Sequence, residues 1–362
     1  MTRLLIVDDS ALMRRVLGDV FQNEPGFEVA FARDGVEALV QVHAFKPDVV
    51  TLDVQMPRMD GLSCLDRIMV ERPCPVVMVS SLTGEGAQAT LEALELGAVD
   101  FVVKPDGAVS LAIDEFAPVL VEKVVTAAAS RLRRSHRLAE RLRARRAAIG
   151  PSLAPRDKTA TAWKPQPAGA PPGLVIIGAS TGGPPALDAV LGEIPADFPW
   201  PILVAQHMPA AFTASLAHRL DGLCALRVIE VARPTPLVSG CVYVARGDAD
   251  MIVSRRAAGP VALSTPSSAE HRWHPSVDRL VDSLAAIMPP ERLLGVLMTG
   301  MGDDGARAMS ALRAAGGRTI AQSEDTAVVW GMPGELVKAG GADVVAPLGS
   351  IADKILDMVG PG

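Results

Sequence analysis

Ser180 stands in LVIIGASTGGP, residues Leu174 to Pro184, between an apolar run and a pair of prolines. A serine hydroxyl becomes a useful nucleophile when a turn exposes it and a neighbouring base takes its proton. Gly178, Ser180 and Gly182 fit G-x-S-x-G, the spacing of a nucleophile elbow. The apolar run from Leu174 reads as a short buried strand, and the glycines permit positive φ and close approach of a substrate. Pro184 and Pro185 suit the first turn of a helix, where a missing N–H does no harm. That helix N-terminus favours negative charge developing beside the hydroxyl. The same strand–turn–helix also cradles phosphate groups, so the motif alone leaves two chemistries open.

Two further strands bear on the choice. PILVAQ, Pro201 to Gln206, runs into His207, and LLGVLM, Leu293 to Met298, runs into TGMGDDGA with Asp303 and Asp304. Singly, His207 fits a hydrogen-bonded structural residue and either aspartate fits a helix cap. Together, serine, histidine and aspartate arrive at one edge of an expected parallel sheet. There an imidazole can take the serine proton, a buried carboxylate can fix its tautomer, and glycine-rich backbone N–H groups can bind an oxyanion. A dinucleotide site is disfavoured, because Gln206 and His207 close the second strand where a Rossmann fingerprint needs an acid. His271 and His274 are three apart with no third metal ligand evident, and His43, His136 and His218 read as surface residues.

A second constellation lies nearer the N-terminus. Leu4–Val7, Phe27–Phe31, Val49–Leu52, Val76–Val79 and Phe101–Val103 read as five strands alternating with helical patterns, the rhythm of a doubly wound parallel sheet. Asp8 and Asp9 close the first strand, Asp53 the third, Ser80 and Ser81 the fourth, and Lys104 and Pro105 the fifth. Carboxylates gathered so closely repel one another, and a hard cation such as Mg2+ would relieve that. A carboxylate beside a divalent cation and a lysine ammonium can accept a phosphoryl group.

The elements that must position these groups form two domains joined by a contrasting stretch. The expected division is 1–130, a joint of 131–172, and 173–362. Residues 131–146, RLRRSHRLAERLRARR, hold eight arginines against Glu140, and 150–173 is rich in Pro, Ala, Thr and Gly around Trp163. This reads as a basic helical extension followed by a linker, with a docking patch for acidic partners as the sharper alternative. The net charge of −6 and the lack of a helix-turn-helix or zinc pattern argue against nucleic acid. The early acids disfavour a signal peptide, and no apolar run approaches the roughly 20 residues that span a bilayer, so a cytoplasmic protein without membrane insertion is expected. Cys64, Cys74, Cys224 and Cys241 contain no C-x-x-C pair and read as small buried hydrophobes.

VDDS, LDVQMPRMDG, MVSS and VKP resemble the receiver domain of two-component response regulators, a flavodoxin-like α/β fold with a five-stranded parallel sheet. That resemblance implies Asp53 as the phosphorylated residue, Asp8 and Asp9 beside it as Mg2+-site acids, Ser80 as switch hydroxyl, Phe101 as switch aromatic and Lys104 as phosphoryl contact. It also implies a cis Lys104–Pro105 bond. GASTGG, QHMP, HPSVD and TGMGDDGA behind such a domain resemble the protein-glutamate methylesterases of bacterial chemotaxis, the CheB family, over the whole chain. The second domain is then a doubly wound α/β esterase with a mostly parallel sheet. By resemblance Ser180 is the nucleophile, His207 the base and Asp304 the residue that orients it, with Asp303 a neighbour. Thr181 borders the site, and the Met301 backbone contributes to the oxyanion region.

The same resemblance implies esters on chemoreceptor cytoplasmic helices as substrates, receptor glutamines for deamidation, a histidine kinase as phosphoryl donor, and no cofactor for the esterase chemistry. The rival reading is a receiver-gated binding module without catalysis. Two residues depart from the family pattern: Gln55 where Glu is expected, and Gly334 where a basic residue is expected, which would weaken contacts to a substrate helix.

Overall fold

The computed structural model describes residues 1–81, 83–105, 109–130 and 171–360. The chain divides into two compact units, Met1–Leu153 and Ala154–Gly362. The arginine-rich stretch, the linker with Trp163, and His136 lie outside the described residues.

In the first unit, β1 (Thr2–Val7), β2 (Phe27–Ala32), β3 (Val49–Asp53), β4 (Val76–Ser80) and β5 (Asp100–Val103) alternate with α1 (Ala11–Gln22), α2 (Gly35–Ala44), α3 (Gly61–Glu71), α4 (Gly84–Leu96) and α5 (Val109–Ala129). The sheet order is β2-β1-β3-β4-β5, all parallel. β3 and β4 are buried along their full length, as uninterrupted apolar runs must be when helices cover both faces. Ser10 caps α1, accepting from the Met13 N–H at 3.3 Å. The chain leaves β1 and β3 in opposite senses across the sheet, so a crevice opens between their carboxyl ends, where Asp8 and Asp53 lie.

The second unit holds a wholly parallel seven-stranded sheet. β6 (Leu174–Ala179), β7 (Ile202–Gln206), β8 (Arg227–Val231), β10 (Cys241–Ala245), β13 (Leu293–Leu297), β14 (Arg318–Gln322) and β15 (Val344–Ala346) take the order β15-β14-β13-β6-β7-β10-β8. A separate antiparallel sheet joins β9 (Thr235–Pro236), β11 (Ala249–Arg256) and β12 (Gly259–Pro266). Among the described residues six α-helices accompany these sheets: α6 (Gly183–Leu191), α7 (Ala210–Leu223), α8 (Val277–Ala285), α9 (Ala306–Ala314), α10 (Met332–Lys338) and α11 (Ile351–Val359). Pro184 and Pro185 occupy the first turn of α6.

The core runs from the sheet to the hairpin, with Leu174, Leu203, Tyr243, Met251, Leu280 and Met309 among its members. Tyr243 is buried with both hydroxyl roles met: it donates to Pro236 O and accepts from Val238 N, each at 2.9 Å. All four cysteines are buried and reduced, as expected of small apolar fillers. Here the chain order reverses at β6, with β7 on one side and β13 on the other, which places a crevice at their carboxyl ends.

Candidate active site

Register delivers the three catalytic candidates. Ala179 pairs with Gln206 and Gly178 with Leu297, so the residues next in line at the carboxyl edge are Ser180, His207 and the Met298–Asp304 loop. The turn that carries Ser180 is tied on both sides. The Ser180 N–H donates to Thr299 O and the His207 N–H to Ala179 O, both at 3.0 Å. Gln206 is buried and donates from Nε2 to Ser180 O and His207 O, each at 3.0 Å, so one amide spaces the two strand ends. Thr299 Oγ1 donates to Thr181 O at 2.9 Å.

Two glycines make this turn possible. Gly182 adopts φ +75° at the start of α6, a conformation that costs a residue with a side chain. Gly300 lies against the Ser180 turn, where a Cβ would meet Ser180 Cβ at 2.8 Å and also Met332 Sδ.

His207 and Asp304 are bound to one another. Nε2 lies 2.8 Å from Asp304 Oδ2, with both side chains largely buried. Asp304 also accepts from Ser276 Oγ at 3.1 Å and from the N–H groups of Val277 at 2.7 Å and Asp278 at 3.0 Å. These amides are the opening of α8, so the carboxylate sits on a helix N-terminus. Burial alone would raise the Asp304 carboxyl. The His207 hydrogen bond and charge and the two amides outweigh it, and hold Asp304 below the usual carboxylate range. Asp303, one residue earlier, is exposed.

His207 Nδ1 is buried and has no hydrogen-bond partner among the described residues. Because Nε2 belongs to Asp304, Nδ1 is the ring nitrogen left for proton exchange. Ser180 makes no side-chain bond to it here, and such contacts often close only once substrate is bound. The Trp273 ring stacks on His207, with centroids 5.8 Å apart and planes at 10°. Thr181 and Met301 are both buried in the adjoining loops, and the Met301 N–H makes no hydrogen bond among the described residues.

The loop after β10 props the histidine side. Asp248 Oδ2 accepts from the Ala210 N–H at 3.1 Å, capping α7, whose own N-cap is Pro209. A Cβ on Gly247 would strike Met208 O, the carbonyl next to His207.

In the first unit the acid cluster assembles as expected. Asp8, Asp9 and Asp53 offer carboxylate oxygens that all lie within 4.8 Å of one another. Three carboxylates with no nitrogen or sulfur donor match what a hard divalent cation takes. Lys104 Nζ lies 2.8 Å from both Asp8 Oδ2 and Asp53 Oδ2. Burial pushes the Asp53 carboxyl up despite that ammonium; burial would lower Lys104, but its two aspartate partners together raise it.

Ser80 and Phe101 are placed nearby but not at the carboxylate. Ser80 Oγ donates to the Ser81 and Gly86 carbonyls at 3.3 and 3.4 Å, and Phe101 is buried with the Lys123 ammonium 5.1 Å from its ring. The expectation of a cis Lys104–Pro105 bond is corrected. Among the described residues the cis peptide is His274–Pro275, and trans is the default for an X–Pro bond by about 0.5–1 kcal/mol.

A family model described as CheB methylesterase matches residues 175–355, and one described as response regulator receiver domain matches residues 4–112. A protein-glutamate methylesterase/protein-glutamine glutaminase 2 of Rhodopseudomonas palustris (strain BisB18) is 56% identical over 361 residues, covering 99% of this chain and 98% of its own. The chain belongs to the CheB methylesterase family.

A second CheB-family relative, from Rhodospirillum rubrum and named protein-glutamate methylesterase/protein-glutamine glutaminase 3, is 52% identical over 98% of this chain and 95% of its own. The solved CheB methylesterase catalytic domain of Thermotoga maritima aligns with 53% of this chain and 98% of its own, at 36% identity and TM-score 0.49.

The sequence assigned no role in the site to the residues that build it from behind, Gln206, Trp273, Ser276, Thr299 and Gly300, although all but Trp273 lie inside the CheB-family motifs. A signal existed for Ser276, which precedes the amphipathic VDRLVDSLA and does cap α8. Gly334 is buried, and a Cβ there would meet the Trp330 ring at 3.0 Å. His274 contacts Asp250 through Nδ1 at 2.9 Å, so its partner is a carboxylate.

Proposed function

We propose that this chain is a phosphorylation-activated serine esterase. It removes methyl groups from γ-glutamyl methyl esters on the cytoplasmic helices of chemoreceptors and deamidates receptor glutamines, acting in the cytoplasm. The observation that carries this reading is the 2.8 Å contact of His207 Nε2 with a hydrogen-bond-saturated Asp304, on the strand neighbouring the turn of Ser180. The names of the relatives support the substrate class.

Ser180 Oγ attacks the ester carbonyl carbon while His207 Nδ1 takes its proton. The carbonyl electron pair moves to oxygen, and the N–H groups around Gly182, at the opening of α6, and of Met301, in the loop after β13, stabilise that oxyanion. When the oxygen pair returns, the C–O bond to the methoxy group breaks and the imidazolium gives its proton to the leaving methanol. Water then hydrolyses the acyl-enzyme by the same proton route, restoring Ser180 and leaving a glutamate. With glutamine the leaving group is ammonia. Asp304 stays ionised throughout and stabilises the imidazolium.

In the first domain, Asp53 accepts a phosphoryl group from a histidine kinase. Asp8, Asp9 and Asp53 would hold Mg2+, which when bound neutralises charge on the transferring group. Lys104 holds the Asp53 carboxylate in place, and Ser80 and Phe101 register the phosphorylated state. Phosphorylation shifts the population toward the active enzyme.

The test is methanol release from a methylated receptor fragment by the full-length chain, with and without a phosphoryl donor and Mg2+. Release that requires Ser180 and rises on phosphorylation only when Asp53 is present supports both halves. Release unchanged in Ser180→Ala overturns the esterase assignment.

A further inference from the structure

Asp250 is a second buried carboxylate, on β11, outside the serine–histidine–aspartate set. Its side chain is fully enclosed and takes four partners: the Ser268 N–H at 3.1 Å, the Ser276 N–H at 2.8 Å, His274 Nδ1 at 2.9 Å and Arg279 Nη1 at 2.6 Å. Those partners come from both ends of the segment that links β12 to α8, and from α8 itself. Arg279 also donates to Pro266 O at 2.9 Å, closing the base of the loop. A single carboxylate thereby clamps a loop with no regular secondary structure of its own.

That loop supplies two contacts to the catalytic pair. Ser276 is gripped from both sides: its N–H goes to Asp250, and its Oγ goes to Asp304. Trp273, three residues earlier, lies flat over His207. Arg272 lies 4.5 Å from the Trp273 ring, and Gly302 leaves room for its indole edge.

We infer that Asp250 is a positioning residue for the esterase reaction: it holds Ser276 against Asp304 and Trp273 against His207, and so sets the orientation of the imidazole. This rests on the serine-esterase reading above. Asp250 touches no reacting atom; it acts through Ser276 and, by way of His274, the stretch that carries Trp273. The need for it follows from geometry, since an imidazole displaced by about 1 Å can cost on the order of 100-fold in rate.

The test uses purified full-length Asp250→Asn, Ser276→Ala and the double variant, each compared with wild type. Far-UV circular dichroism and a melting curve establish which variants are folded. Methanol release gives kcat and KM, and labelling of Ser180 by a small fluorophosphonate reports nucleophile activation without the receptor.

The expected result is a fall of about 10- to 100-fold in kcat for Asp250→Asn, with KM within about threefold and probe labelling slowed in parallel. The double variant should lose no more than the worse single variant, because both act on one contact chain. If Asp250→Asn does not fold, His274→Gln removes one partner at the more exposed side and should slow labelling by a few-fold.

Folded variants with wild-type kcat and labelling overturn the inference, as do effects of Asp250→Asn and Ser276→Ala that multiply. Absence of ester hydrolysis and of Ser180 labelling in wild type would instead overturn the esterase reading, so the two failures are distinguishable.

Discussion

Asp53 and Asp304 both lie at the carboxyl edge of a parallel sheet and both are nearly sealed from water, yet the protein around them is built differently. Asp304 accepts from His207, Ser276 Oγ and two amides that open α8. Asp53 receives the Lys104 ammonium and a long 3.4 Å contact from the Gln55 N–H, and faces two more carboxylates. Burial raises the Asp53 carboxyl, whereas its hydrogen bonds hold the Asp304 carboxyl low. The difference fits the two tasks proposed for these residues. A carboxylate that must hold a ring in place is saturated with donors, which freeze it. A carboxylate that must react needs lone pairs left open for an incoming group.

The comparison can be broken most sharply at the serine. Ser180→Ala should fold normally and lose at least about 10⁴-fold in kcat for methanol release. Next comes the saturated acid: Asp304→Asn should lower kcat by about 10³–10⁴-fold, because the amide presents the wrong hydrogen-bonding pattern to His207. A loss below tenfold would mean that the donors around Asp304 serve folding alone. Gly300→Ala probes the packing under the nucleophile, and steady-state kinetics should show a kcat loss on the order of 100-fold with the fold retained.

The open acid gives a different signature. Asp53→Ala should leave unstimulated methanol release within about twofold of wild type and abolish all stimulation by phosphoryl donor and Mg2+, since no group transfers to an alanine.

The smallest expected effect is on stability. A carboxyl held below its unfolded value of about 3.8 contributes stability that is present above that value. It is lost as pH falls through the folded-state value, because the unfolded chain then binds more protons. Asp304 and Asp250 both behave this way, so the melting temperature of the second domain should decline as pH drops below about 4. Asp304→Asn should flatten that decline, as followed by calorimetry. Asp53, whose carboxyl is raised, has the opposite sign: its ionisation costs the fold stability as pH rises through the acid range.

Much of this was legible in the chain itself. Apolar runs such as LLIV, VVMV and LVIIGA are strands because both faces of a parallel sheet are covered, and the polar residue that ends each run marks the carboxyl edge. That pattern is local, so Asp8, Asp53, Lys104, Ser180 and His207 could be named from short windows. The strands of the hairpin, β11 and β12, alternate more weakly and carry no motif, and their place against α8 was not legible.

Sequence alone determined which chemical groups reach the two sheet edges, because side-chain type and strand periodicity are properties of a few adjacent residues. Only the tertiary structure decided how those groups are wired. That Asp304 takes Nε2 of a histidine 97 residues away, that α8 presents its first amides to the same carboxylate, and that Asp250 clamps the loop between them all depend on how distant elements pack. Hydrogen bonds are short and directional, so their partners are fixed by packed three-dimensional positions to within a fraction of an ångström, a precision that no local pattern of residues encodes.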